Sequence, residues 1–382
     1  MPSPTLIRPP PVDTSKSPVE NMMELTRLNI IEPVHTRCCG RSQLLMLWQD
    51  LFTNTRPLWH PPNARGIYGG AVIAQCLSAA FMTLPSPSSA NNNVEYLPHS
   101  MHCYFVLAGD SEIPIIYSVE RIRDGRSFLT RTVQAKQKGR CIFTTTISFM
   151  AEGSGGKDAL THGWDMHPGA VQALQEALKE DQSHPDRTMP APNPNDSDSQ
   201  GVPFESKRLN IVNKDQLLLP QQRRFQSWLK CRGELKGGLP AHLCAMAYLS
   251  DRWFIGTSVR VHRGRAHFLA PQIYRNHVLS LADLVEPDYT DTEFNAGAPE
   301  NVSPAAGNSV NTPPEQSGSK MGMMVSLDHT IYFHSPRDVK MDDWTLSEME
   351  SPWASGGKGM VMQRIWNKKG KLVATCVQEV CD

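Results

Sequence analysis

HSMHCYFVL (99–107), PIIYSVERI (114–122), SFLTRTVQAKQ (127–137) and CIFTTTISFM (141–150) are four segments rich in β-branched and aromatic residues. The turns between them are short: Ala108-Gly109-Asp110 and the residues after it, Asp124-Gly125-Arg126, and Lys138-Gly139-Arg140. Strands joined by such Gly-containing turns pair with their neighbours as an antiparallel meander. Just before them, AVIAQCLSAAFMTL (71–84) has no Gly or Pro and is dominated by Ala and Leu-like residues. Val72, Cys76, Leu77 and Ala80 fall at helical spacing, and a helix apolar on most sides is a buried one. One buried helix beside an antiparallel sheet is an α+β arrangement. Gly69-Gly70 stand at the start of the helix, where the lack of Cβ atoms lets its first N–H groups approach another group closely.

The same order recurs downstream. RFQSWLKC (224–231) reads as a strand, Gly237-Gly238 precede PAHLCAMAYL (240–249) as a helix with Pro in its first turn, and strands follow at 322–334, 343–349, 359–366 and 371–381. Tyr104-Phe105 matches Tyr332-Phe333, Tyr117–Glu120 resembles Leu346–Glu350, and Lys138-Gly139-Arg140 matches Lys369-Gly370-Lys371. Aligning the last strands on that turn sets Gln378 against Ile147. The last strand, GKLVATCVQEVCD (370–382), shows one face of Leu372, Ala374, Cys376, Gln378 and Val380. An amide in an apolar strand face is costly without a hydrogen-bond partner. It is either a strand end where burial fades or a group belonging to one copy of the repeat only.

The remaining chain bounds the class. At 382 residues it is suited to about two domains. Lys+Arg and Asp+Glu are both 38, so binding to nucleic acid or an anionic membrane through bulk charge is not expected. Nine scattered cysteines with no C-x-x-C, and no H-E-x-x-H among thirteen histidines, point away from a disulfide framework and from a metal site. Residues 1–22 lack the apolar core of a signal peptide and read as a disordered tail. Met23–Val34 holds a first strand, and Gln43–Phe52 is a short helix or part of a loop. Residues 153–220 read as a partly disordered linker with a weak helical piece at 170–178, and about 262–320 as a long insert. No run approaches the apolar length of a membrane span.

Two further residues carry potential chemistry. Asp251 closes the second helix, where a carboxylate opposes the helix dipole, so the position needs another reason. It is either a surface acid paired with Arg252 or a partly buried general base. Ser326 is either a satisfied core hydroxyl or a hydrogen-bonding group at a site. Strict alternation along the strand puts His329 on the opposite face, and no G-x-S-x-G elbow exists, so Ser326 is not expected to be a nucleophile. Asp328 and His329 read as register-setting or interface residues.

The stretches YGGAVIAQCLSAA (68–80), 98–152, AHLCAMAYLSDRWF (241–254), SLDHTIYFHSP (326–336) and GKLVATCVQEV (370–380) resemble the acyl-CoA thioesterase II family, bacterial and peroxisomal. The resemblance implies a double hotdog fold, with units at 23–152 and 221–382. It also implies a catalytic set of an Asp ending the second helix, a Thr or Ser two positions before Asp-His, and a Gln in the last strand: Asp251, Ser326 and Gln378. It implies direct attack of water on an acyl-CoA thioester, no cofactor, and a dimer of double hotdogs. The N–H groups near Gly69 and Gly70 are expected to serve the substrate as oxyanion donors. Two departures stand out. The insert is longer than the family's usual connection. The chain ends Val-Cys-Asp, not in a Ser-Lys-Leu type peroxisomal signal, so of an intracellular place in the cytoplasm or the peroxisome the cytoplasm is favoured. Three other readings use the same scaffold: a non-catalytic acyl-CoA-binding or interaction module, hydrolysis of a carrier-bound acyl group, and enoyl-CoA hydration. Hotdog hydratases carry Asp-x4-His, and no Asp here has a His five residues on.

Overall fold

The structure is a computed structural model. It describes residues 9–28, 31–38, 41–48, 50–58, 66–85, 94–156, 160–164, 166, 171, 203–209, 219–262 and 324–381. In chain order the first part contains α1 (Pro18–Met23), β1 (Leu25–Leu28), β2 (Ile31–Cys38), β3 (Arg41–Trp48), β4 (Asp50–Asn54), α2 (Gly69–Phe81), β5 (Tyr96–Phe105), β6 (Ile116–Asp124), β7 (Phe128–Gln137) and β8 (Arg140–Ala151). The second contains β9 (Phe204–Leu209), β10 (Arg224–Cys231), α3 (Gly238–Ser250), α4 (Phe254–Arg260), β11 (Val325–Ser326), β12 (Asp328–Phe333), β13 (Thr345–Ser355), β14 (Lys358–Asn367) and β15 (Leu372–Cys381).

One antiparallel sheet runs through both parts in the order β1-β4-β6-β7-β8-β5-β12-β15-β14-β13-β10-β9, with β11 on the end of β15 and β2-β3 a separate hairpin. Read from the two edges inward, the halves match strand for strand. They meet at β5 and β12, where Asp328 faces Tyr104 and Tyr332 faces Ser100. Moving each β5 residue by the spacing between Tyr104-Phe105 and Tyr332-Phe333 carries this register onto itself. The repeat visible in the sequence is therefore a two-fold relation in space. By the same mapping Met101 corresponds to His329, and Ile147, the partner of Met101 on β8, corresponds to Gln378.

α2 and α3 run antiparallel through the core. The end of α2 at Phe81 and Leu84 and the start of α3 at Leu239 and Leu243 line one cavity of about 240 Å³. At the opposite end, Tyr68 Oη donates to the Tyr248 carbonyl at 2.8 Å, and the two rings pack edge to face. Every α3 residue from Leu243 to Ser250 is buried, which suits its Ala- and Leu-rich composition.

Several expectations for the connecting segments need correction. The proposed disordered tail of 1–22 ends in α1, whose Val19 is fully buried. Ser17 and Glu20 form a capping box there, and Glu20 also accepts from the backbone N–H groups of Lys236 and Gly237, at 2.9 and 2.6 Å, just ahead of α3. The first strand is shorter than 23–34, because Met23 belongs to α1. Gln43–Phe52 is not a helix: it spans β3 and β4, with Leu51 and Phe52 buried. Within the proposed linker, Phe204–Leu209 is an edge strand paired with β10. The helix at 170–178, apart from residue 171, and the insert beyond 262 lie outside the described residues. Among the described residues no helix is long and apolar enough to cross a membrane.

Candidate active site

Asp251 is the C-cap of α3. The reason for an acid at this unfavourable helix end comes from α2. Because the helices are antiparallel, the N-terminus of α2 lies against the C-terminus of α3, and the Gly70 N–H donates to the Asp251 carboxylate. The positive end of one dipole thus offsets the negative end of the other. The approach needs both glycines. A Cβ on Gly69 would lie 2.7 Å from Asp251 Oδ2, and one on Gly70 only 2.2 Å from the Tyr248 carbonyl oxygen. After Asp251 the chain turns sharply through Trp253, held at φ 64° in the left-handed region, and enters α4.

Gln378 is fully buried in the middle of β15, so the amide is no frayed strand end. It bonds to three side chains. It donates to Asp251, its Nε2 donates to Ser326 Oγ, and its Oε1 lies 2.6 Å from His329 Nδ1. Asp251, Ser326 and Gln378 therefore meet at one place. The Gly70 N–H, expected at a substrate oxygen, is directed instead at Asp251.

His329 shares this face with Ser326, against the expectation from strict alternation. Ser326 pairs with Val380 and Thr330 with Val377, so four steps on one strand oppose three on β15. This is a β-bulge, which re-aims side chains by one position. Leu327 at the bulge keeps its backbone bonds, donating to Glu379 O at 2.9 Å and accepting from Phe105 N at 3.0 Å. Asp328 Oδ1 accepts from Glu379 N at 2.7 Å, so Asp328 holds the altered register with its side chain. His329 is fully buried, its Nε2 2.9 Å from Ser250 Oγ and its ring 5.2 Å from that of Phe254 in an edge-to-face contact.

The electrostatics follow from this enclosure. Desolvation raises the Asp251 carboxyl to about 7, against the two hydrogen bonds from Gly70 and Gln378, which lower it. Burial pushes His329 down to about 4, with its bond to Gln378 acting the other way. At neutral pH the site thus combines a carboxyl poised near half-ionisation with an uncharged imidazole. A buried carboxyl that titrates near neutral pH has the proton affinity of a general base. The corresponding positions of the first half, Met82, Met101 and Ile147, carry no such groups. Among the described residues the constellation exists once, built on the second half and completed by Gly70 of the first.

Residues 181–381 match the acyl-CoA thioesterase C-terminal domain family, and residues 56–150 the acyl-CoA thioesterase N-terminal domain family. Acyl-coenzyme A thioesterase 8 of Rattus norvegicus is 31% identical over 342 residues, covering 87% of this chain and 84% of the rat protein. The chain belongs to the acyl-CoA thioesterase II family. Acyl-CoA thioesterase 2 of Haemophilus influenzae is 28% identical to this thioesterase over 318 residues, covering 82% of the chain and 87% of the relative. Among solved structures, the acyl-CoA thioesterase II TesB2 of Mycobacterium marinum aligns with a TM-score of 0.57 at 21% identity, over 95% of this thioesterase and 96% of that chain. A hot dog fold protein of Alicyclobacillus acidocaldarius aligns with a TM-score of 0.50 at 16% identity, over 95% and 97% of the two chains. The thioesterase has a hotdog fold.

Sequence reasoning missed two members of the site, Ser250 and His329. His329 was hidden by the bulge, which alternation cannot anticipate. Ser250 carried no signal, since a Ser in the last turn of a buried helix has many uses.

Proposed function

We propose that this thioesterase hydrolyses acyl-CoA by direct attack of one water held by Asp251, Ser326 and Gln378. Asp251 accepts a proton from the water as its oxygen bonds to the thioester carbon. The tetrahedral oxyanion then collapses, the C–S bond breaks, and the CoA sulfur leaves with its electron pair and is protonated. The products are a carboxylic acid and free CoA. The oxyanion is assigned to the N-terminal end of α2, with the Gly69 N–H, which borders Asp251, as its donor. The thiolate is a good leaving group, so base catalysis of about 10² to 10⁴-fold on a positioned water is a modest demand. The observation that carries this reading is the convergence of the three side chains around a carboxyl titrating near 7.

The mirrored strand order supports a double hotdog, two units fused in tandem with cores at 23–152 and 221–382. Release of CoA thiol from a panel of acyl-CoA chain lengths tests the activity, and a parallel acyl-carrier panel separates a carrier-bound substrate. A single turnover in H₂¹⁸O tests the route: the product acid should carry the label at once. Unlabelled acid in that first turnover would mean that an enzyme carboxyl, not water, attacked the thioester.

A further inference from the structure

Ser250 and His329 lie behind the three residues assigned to the water: His329 bonds to Gln378, and Ser250 bonds to His329. Their placement sets the direction of an amide. Gln378 has one face that donates and one that accepts, and the two are nearly isosteric. An ionised Asp251 can only accept, so the NH₂ face must point toward it, as its bonds to Asp251 and Ser326 require. The carbonyl Oε1 then faces His329 Nδ1 at 2.6 Å, and this contact is a hydrogen bond only if Nδ1 carries the proton. In an uncharged ring Nε2 is then a bare acceptor. Facing it at 2.9 Å is Ser250 Oγ, whose proton must turn toward the ring and away from the Ala247 carbonyl, also at 2.9 Å. The Cys376 thiol, in contact with Ser250, is placed to donate to the oxygen in turn.

We propose that Ser250 and His329 are positioning residues: a Ser250-to-His329-to-Gln378 relay, completed by the β-bulge at Leu327, that fixes the imidazole tautomer and so locks the Gln378 NH₂ toward Asp251 and Ser326, the two groups assigned to the attacking water. The proposal rests on the water-activation reading. The reversed amide would set its oxygen against the carboxylate and withdraw the donor that meets Ser326. None of this is needed for the sheet to form, since the first half places Met101 and Ile147 at the equivalent positions.

The test has a spectroscopic and a kinetic arm. In the full chain labelled with ¹⁵N-histidine, long-range ¹H–¹⁵N correlation should show His329 as the Nδ1-protonated neutral tautomer. In kinetics, His329→Gln, whose amide overlays Nε2 and not Nδ1, should lower kcat by about 10- to 100-fold, the cost usual for losing an orienting partner. KM should change by less than about threefold, because uniform substrate binding is untouched. His329→Asn, whose NH₂ overlays Nδ1, should recover most of kcat. Ser250→Ala should slow turnover in the His329 background but not in the His329→Asn background, where no ring needs orienting. An Nε2-protonated ring, His329→Gln with parental kcat, or equal losses from Ser250→Ala in both backgrounds would overturn the relay. The tautomer is read without turnover, so failure of the relay is distinguishable from failure of the water mechanism, which Asp251→Asn tests separately.

Discussion

Replacing Asp251 by Asn should remove activity and strengthen the fold at once, with a pH signature. The folded protein raises this carboxyl from 3.8 to about 7, so it binds the proton more tightly than the unfolded chain. Below pH 3.8 both states are protonated and the group is neutral in its effect. As pH rises from there to about 7, the unfolded chain ionises first and stability falls; above 7 the full penalty remains. For these two values the linkage amounts to about 4 kcal/mol at pH 8 and about 2 kcal/mol at pH 5. Asn carries no charge and escapes the penalty, but its NH₂ cannot accept from both Gly70 and Gln378, which returns about 1 to 2 kcal/mol. The expected net gain is about 2 to 3 kcal/mol at pH 8, shrinking to near zero on going to pH 5. Urea unfolding of parent and variant at the two pH values measures it, with thiol release from acyl-CoA followed on the same samples. Parental turnover in the variant would remove Asp251 from the mechanism. A stability difference that does not change between pH 8 and pH 5 would refute the buried, proton-loving carboxyl on which the mechanism depends.

The same carboxyl must be ionised to act as a base, so kcat/KM should rise with pH through an apparent pKa of about 7 and then level off, as read from a rate profile with one substrate. Gln378→Ala removes a hydrogen bond that favours the ionised form, so the acid limb of that profile should move to higher pH and its plateau should fall. Ser326→Ala should reduce kcat by about tenfold, or about 1.4 kcal/mol of barrier, with Ser326→Thr keeping most of it. Gly70→Ala drives a methyl into the Tyr248 carbonyl, at 2.2 Å, and into the Tyr68 ring; it should destabilise the protein by about 3 kcal/mol in thermal unfolding and abolish turnover by parting α2 from Asp251.

How far the sequence can be read depends on the range of the force that decides each feature. The β5–β8 meander and both long helices are local patterns, periodic apolar faces closed by Gly-containing turns, and the structure has them within a few residues. The two-fold relation was legible too, because Tyr104-Phe105 and Tyr332-Phe333 sit on the strands that meet at its axis. Short elements failed where partners are distant in the chain. α1 is ordered by contacts that include Glu20 reaching residues 236 and 237, and β9 exists only because β10 gives it an edge. In the site, Gln378 announced itself as an amide in an apolar face, and Gly69-Gly70 as a place of close approach, though not what would approach. The approach of the Gly70 N–H to Asp251 and the bulge that turns His329 inward are tertiary facts. A one-residue shift in register reverses every facing inferred by alternation.

The Gly70–Asp251 contact also bears on why the two halves share one chain. All of the side chains assigned to the water lie between 251 and 378, yet the environment that raises Asp251 is closed by a helix from before residue 82. Alone, the second half would expose its acid to solvent, where an Asp ionises near 4 and is too weak a base to draw a proton from water at neutral pH. The reactivity of the acid is therefore a property of the pairing rather than of the half that carries it. Covalent fusion keeps the two in equal number and permanently adjacent, so no base is made without the helix end that tunes it. It also releases the first half from carrying an acid of its own, which is how Met82, Met101 and Ile147 can stand where the second half has Asp251, His329 and Gln378.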